Sequence, residues 1–120
     1  MSFEKRNWIE GVRDLQKECH AAAVERGWHD QPRETGTLLA LVHSEISEAL
    51  EGFRRNRVDE HLPHRQNAKV ELADAVIRIA DLCGLMRFDL AGAIRDKLDY
   101  NQTRADHDRD ARAKSGGKKF

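Results

Sequence analysis

Two pairs of acids carry the chemistry most directly. Glu45 and Glu48 lie in VHSEISEALE, and Glu71 and Asp74 lie in KVELADAVIRIAD. At about 100° per residue, positions three apart share one helix face, one turn from each other. Glu45 falls at the margin of an apolar stripe with Leu38, Leu41, Val42 and Ala49. Glu71 and Asp74 share with Arg78 and Asp81 the only polar strip on an otherwise apolar segment. Four carboxylates gathered at a half-buried site repel one another and are poorly solvated unless a cation neutralises them. All-oxygen ligation selects a hard ion, Mg²⁺ with Mn²⁺ as the alternative, and such an ion keeps waters for a phosphate substrate. Taken singly, each pair is more often only a solvated helix face. The doubling of the motif and its register with the apolar stripes favour the metal. A di-iron carboxylate bundle needs Glu-x-x-His on two helices, and no Glu here has a His three residues later.

A second feature is basic. Leu90, Ala93 and Ile94 form an apolar stripe that continues as Lys97, Asn101 and Arg104. A buried face that turns from aliphatic to basic needs anions opposite it, either the carboxylates or a phosphate chain. The plain alternative is that Lys97 and Arg104 snorkel from the end of the fold. Gly116-Gly117-Lys118 lacks the spacing of a phosphate-cradling Walker loop and reads as a basic flap or a simple tail.

The elements that must position these residues are helical. The chain has 120 residues and two prolines, enough for one domain, and its apolar residues recur at helical spacing. The pattern predicts helices over about residues 4–26, from Thr37 as N-cap to residue 54 or 55, over 67–86, and from the N-cap Asp89 to about 107. The second presents Leu38, Leu39, Val42, Ile46, Ala49, Leu50 and Phe53 as its apolar face. The fold class is all-α, a four-helix antiparallel bundle, with residues 1–107 as one helical domain and 108–120 as a basic tail. The third helix is apolar almost all round and must be surrounded. Three short neighbours cover it poorly, so a homo-oligomer is expected, most simply a C2 dimer, with a tetramer as the alternative.

Lys and Arg total 21, as do Asp and Glu. Zero net charge argues against a nucleic-acid coat or a polybasic membrane binder. The neutrality is uneven, with six basic and three acidic residues from Arg104 onward. No apolar run approaches the roughly 18 residues of a membrane span, and residues 1–13 lack a signal-peptide core. Cys19 and Cys83 are isolated, which suits buried free thiols in a cytoplasmic protein.

In these motifs the sequence resembles the MazG-like branch of the all-α nucleoside triphosphate pyrophosphohydrolases. The family pattern, a Glu-x-x-Glu helix followed by Glu-x-x-Asp on the next, matches Glu45/Glu48 and Glu71/Asp74. KLDYNQTR matches a Lys-x-x-Tyr-Asn-x-x-Arg run at Lys97, Tyr100, Asn101 and Arg104, and the ending GGKKF is also family-like. ERGWHDQP is similar to the Arg-x-Trp segment of the deoxycytidine-triphosphate pyrophosphatases, with Trp28 at the base-stacking position or, equally, in a core. Ser44 stands where many members carry a further Glu, which leaves the number of metal ions open. The resemblance implies cleavage between the α and β phosphates of a nucleoside or deoxynucleoside triphosphate, giving the monophosphate and pyrophosphate. It implies Mg²⁺ held by Glu45, Glu48, Glu71 and Asp74, with a glutamate, Glu48 ahead of Glu45, as general base. Lys97, Tyr100, Asn101 and Arg104 would hold the phosphates. The rival readings are a non-catalytic nucleotide- or metal-binding regulator and a helical interaction module.

Overall fold

The computed structural model describes residues 6–103, with Ala113 and Gly116. Among them the chain forms four α-helices, α1 (Trp8–Glu25), α2 (Thr35–Arg55), α3 (Asn67–Met86) and α4 (Leu90–Thr103). The fold is all-α, as the periodicity implies. The α3 bounds coincide with the expected ones. Two expected starts are corrected. Arg6 and Asn7 form a turn before α1, the Arg6 carbonyl accepting from the Ile9 N–H at 3.1 Å. The second helix opens at Thr35, because the Leu38 N–H already reaches the Glu34 carbonyl at 3.2 Å, so Thr37 lies inside the first turn. Apart from Ala113 and Gly116, the expected tail, residues 108–120, lies outside the described residues, as does the expected end of the fourth helix at 107.

Each helix end has a local cause. Gly27 closes α1 at φ 81°, and the Trp28 N–H returns to the Ala23 carbonyl at 3.0 Å. Asn56 ends α2 at φ 49° and Arg87 ends α3 at φ 57°, left-handed conformations that suit Asn but strain Arg by about 1–2 kcal/mol. The Phe88 N–H bond to the Cys83 carbonyl, 2.9 Å, holds Arg87 there. Arg87→Gly should therefore raise the melting temperature by a few degrees, corresponding to about 1 kcal/mol. An unchanged or lower melting temperature would show that the strain is relieved some other way.

The chain divides into two compact units, one of Asp14–Phe88 and one of Met1–Arg13 with Asp89–Phe120. In the first, α2 and α3 run antiparallel. Gly52 meets Asn67 and Ala68 at one end of the pair, and Glu45 meets Arg78 further along. A Cβ on Gly52 would stand 2.5 Å from Asn67 Oδ1 and 3.0 Å from the Ala68 nitrogen, so only glycine allows this approach. The connection between the helices closes on itself through an antiparallel bridge between Val58 and Gln66. The Asp59 carboxylate is buried inside that loop and accepts from the backbone N–H groups of His61 at 3.0 Å and Leu62 at 2.9 Å.

The buried apolar side chains of this unit are small, Ala23, Ala49, Ala68, Ala75 and Ala80 with Cys19, Cys83 and Leu38. The single apolar face expected of α2 splits in two. Leu38, Glu45, Ala49 and Gly52 are buried, while Leu39, Ile46, Leu50 and Phe53 are 47–63% exposed. An apolar sector this wide exceeds what one neighbouring helix can cover. On α3, Leu72, Val76 and Ile79 are likewise exposed.

In the second unit, Asp89 caps α4, its Oδ1 accepting from the Gly92 N–H at 3.1 Å. The buried residues of α4 are Ala91 and Gly92. Ala93 is exposed and Leu90 and Ile94 are half-buried, so the expected stripe is rotated by about one residue. Arg6 lies against α4, its guanidinium donating to the Arg95 carbonyl at 3.2 Å and to Asp99 at 2.5 Å.

Candidate metal centre

The antiparallel pairing of α2 and α3 sets the two acid pairs against each other. Carboxylate oxygens of Glu45, Glu71 and Asp74 all lie within 4.8 Å of one another. Divalent hard cations bind oxygen at about 2.0–2.6 Å, so three oxygens this close can share one ion. Glu48 joins through a hydrogen bond shared with Glu71. Both line a cavity of about 400 Å³, together with Glu51, Arg57, Val58, Glu60 and Asn67. That volume is within the range of small-molecule sites.

The electrostatics register the crowding. The Glu71 carboxyl is pushed up to about 7, first by burial and then by its hydrogen bonds with Glu45 and Glu48. Burial also raises Asp74, followed by the charge of Glu45, while Arg78 opposes the shift. Carboxyls that resist ionising are what a cation site looks like without its cation's charge, and the all-oxygen donor set fits Mg²⁺ or Mn²⁺.

Three residues to which the sequence analysis gave no role complete the arrangement. Arg78 Nε donates to Glu45 Oε1 at 3.0 Å, supplying one positive charge to the cluster. Asn67 Nδ2 bridges Asp59 Oδ1 and Glu71 Oε1, each at 3.2 Å, and so orients Glu71 from the buried loop. Asn67 Oδ1 is buried without a hydrogen-bond partner among the described residues. Arg78 was visible as part of the polar strip on α3, and Asn67 as the residue one turn before Glu71. Asp59 gave no signal, because its burial depends on the closure of the loop.

The other expected site residues are placed as follows. Trp28 is half-buried, with the Arg78 guanidinium 5.2 Å from its ring centre, so it neighbours the side chain that holds Glu45. Lys97, Tyr100 and Asn101 stand on α4 in the other unit. The Lys97 ammonium lies 4.8 Å from the Tyr100 ring centre, and Asn101 Oδ1 is buried without a hydrogen-bond partner among the described residues. Arg104 lies outside the described residues. Cys19 and Cys83 are buried free thiols, and burial raises both above the usual thiol range. Among the described residues no helix is long and apolar enough to cross a membrane.

No protein-family model matches the chain, and no solved structure matches it. Two curated proteins do, the dCTP pyrophosphatase 1 of Bos taurus and that of Homo sapiens. Each is 33% identical over 109 residues, covering 86% of this chain and 62% of the relative. The chain thus spans somewhat less than two thirds of the length of these relatives. The chain is similar to dCTP pyrophosphatase 1 over most of its own length.

Proposed function

We propose that the protein is a divalent-metal-dependent nucleoside or deoxynucleoside triphosphate pyrophosphohydrolase, cleaving between the α and β phosphates. The convergence of Glu45, Glu71 and Asp74 on one point, with Glu48 beside Glu71, carries this reading. Glu45, Glu48, Glu71 and Asp74 would hold Mg²⁺, or Mn²⁺, which would supply charge for the triphosphate and acidify a water. Glu48, exposed on the cavity wall, takes the proton of the attacking water, with Glu45 as the alternative base. The water oxygen bonds to the α phosphorus, the α–β bridging bond breaks, and pyrophosphate leaves with that electron pair. Lys97, Asn101 and Arg104, with Tyr100, hold phosphate oxygens, and Trp28 stacks on the base. Residues 1–107 form the working domain, in the cytoplasm.

The name of the two relatives makes dCTP the first substrate to try. A pyrophosphate-release screen over canonical and modified triphosphates should find a Mg²⁺-dependent substrate. Orthophosphate alone would reject this bond specificity, and tight nucleotide binding without turnover on the whole panel would favour a non-catalytic regulator.

The working form is a homo-oligomer, with a dimer ahead of a tetramer. Leu39, Ile46, Leu50 and Phe53 on α2, with Leu72, Val76 and Ile79 on α3, are exposed large apolar side chains, and such residues gathered into one patch mark an interaction surface. Ile46→Asp should shift the protein to a monomer in sedimentation or light scattering. A wild-type protein already monomeric at assay concentrations would refute the proposal.

A further inference from the structure

A second cluster lies further along α3, outside the carboxylate site. Asp81 is buried, 5% exposed, and its carboxylate is met by two imidazoles. His29 Nε2 stands 2.8 Å and 3.0 Å from its two oxygens. His20 Nδ1 stands 3.0 Å from Oδ1. Among the described residues no Lys or Arg forms an ion pair with Asp81. The ligand-bearing atoms of His20, His29 and Asp81 all lie within 4.8 Å of one another.

We propose that His20, His29 and Asp81 form a transition-metal site, with Zn²⁺ as its best-fitting ion, separate from the hard-cation centre of Glu45, Glu71 and Asp74. Two imidazole nitrogens and one carboxylate oxygen are borderline-soft donors that suit Zn²⁺, Co²⁺ or Ni²⁺, whereas all-oxygen donors suit Mg²⁺. Bonds of about 2.0–2.2 Å place tetrahedral donors a little over 3 Å apart. The present contacts need to open by only a few tenths of an ångström once the ion replaces the shared protons. The His20 side chain is 30% exposed, which gives an ion a way in and leaves a fourth position for water.

The local fold is adapted to this convergence at two glycines. A Cβ on Gly84 would stand 2.5 Å from the His20 Cβ, so glycine lets His20 close onto α3 one turn beyond Asp81. Gly27, at φ 81°, turns the chain so that His29 comes back toward the same helix. Simple hydrogen bonding to Asp81 needs one imidazole. Here two, from different segments, meet at the same oxygen. Asp81 also stands seven residues beyond Asp74, about 10 Å along the helix, so one ion cannot serve both sites. An ion at Asp81 would tie α1, the turn after it and α3 together. It would also fix Trp28, the neighbour of His29 in the chain.

The test uses the full chain after chelator treatment, with excess Mg²⁺ present to occupy the carboxylates. Zn²⁺ is titrated by calorimetry, and Co²⁺ by its visible absorption. One ion per chain should bind, with the intense absorption of a tetrahedral site. His20→Gln and His29→Gln should each weaken it by more than the roughly tenfold that loss of an outer-shell partner costs, and Glu71→Gln should leave it intact. His20 is half-exposed, so that variant keeps the test usable if His29→Gln does not fold. Undiminished binding in His20→Gln, loss of binding in Glu71→Gln, or no bound ion in the wild type would each overturn the site and leave a hydrogen-bonded clamp.

Discussion

Glu71→Gln is expected to lower pyrophosphate release by roughly 10³-fold while the protein stays folded. Glu71 sits where the constraints on the carboxylate cluster meet. It shares hydrogen bonds with Glu45 and Glu48 and receives one from Asn67. Glutamine keeps the volume and can still accept from Asn67 Nδ2, but removes the charge that a cation needs. In the metal-free protein that charge is a burden, since burial and two neighbouring acids oppose it. The melting temperature of Glu71→Gln without metal should therefore equal or exceed that of the wild type. Asp74→Asn should behave alike. Turnover within tenfold of wild type in both variants would end the metal assignment. Collapse of the fold in both would make the acids structural instead.

The second large effect is on pH and Mg²⁺ together. The Glu71 carboxyl stands at about 7 in the folded chain against an ordinary 4.5, so the folded state holds a proton that the unfolded state releases. Its contribution to stability is full below pH 4.5 and is lost as the pH rises through about 7. Asp74, also raised, acts in the same direction. The opposite sign belongs to Asp59, lowered chiefly by the Leu62 N–H, and to Glu51, lowered chiefly by its bond to Arg55. Their contributions are lost as the pH falls, below the window in which Glu71 titrates. Melting curves without metal should therefore fall between pH 5 and pH 8, and saturating Mg²⁺ should reverse the fall. Below pH 7 the ion must displace the Glu71 proton, so its affinity should rise by up to about tenfold per pH unit. Glu71→Gln should flatten the profile. Metal-free stability that climbs steadily through pH 7, with no response to Mg²⁺, would show that the acids are solvated independently.

How much of this was legible depended on whether the cause was local. The bounds of α3, the Asp89 cap and the stop at Gly27 follow from apolar period, side-chain capping and backbone freedom, which act within a turn or two. The facing of the two acid pairs was legible for a related reason. Residues three apart share a face, and a short connection makes two helices antiparallel neighbours. The family resemblance rested on the same short motifs.

Tertiary closure decided the rest. The support of Glu71 by Asp59 through Asn67 exists because the loop bridges Val58 to Gln66, and no spacing announces that. Periodicity showed that α2 is apolar over a wide sector. Packing against α3 divided that sector into a buried line at Leu38, Ala49 and Gly52 and an exposed one at Leu39, Ile46, Leu50 and Phe53. His20, His29 and Asp81 carry no motif at all, and only the close approach at Gly84 and the turn at Gly27 bring them to one oxygen. By itself the sequence determined the helices and which acids share a face, because helix geometry is set by near neighbours. The tertiary structure decided which charges lose water and what neutralises them, because desolvation depends on residues remote in the chain.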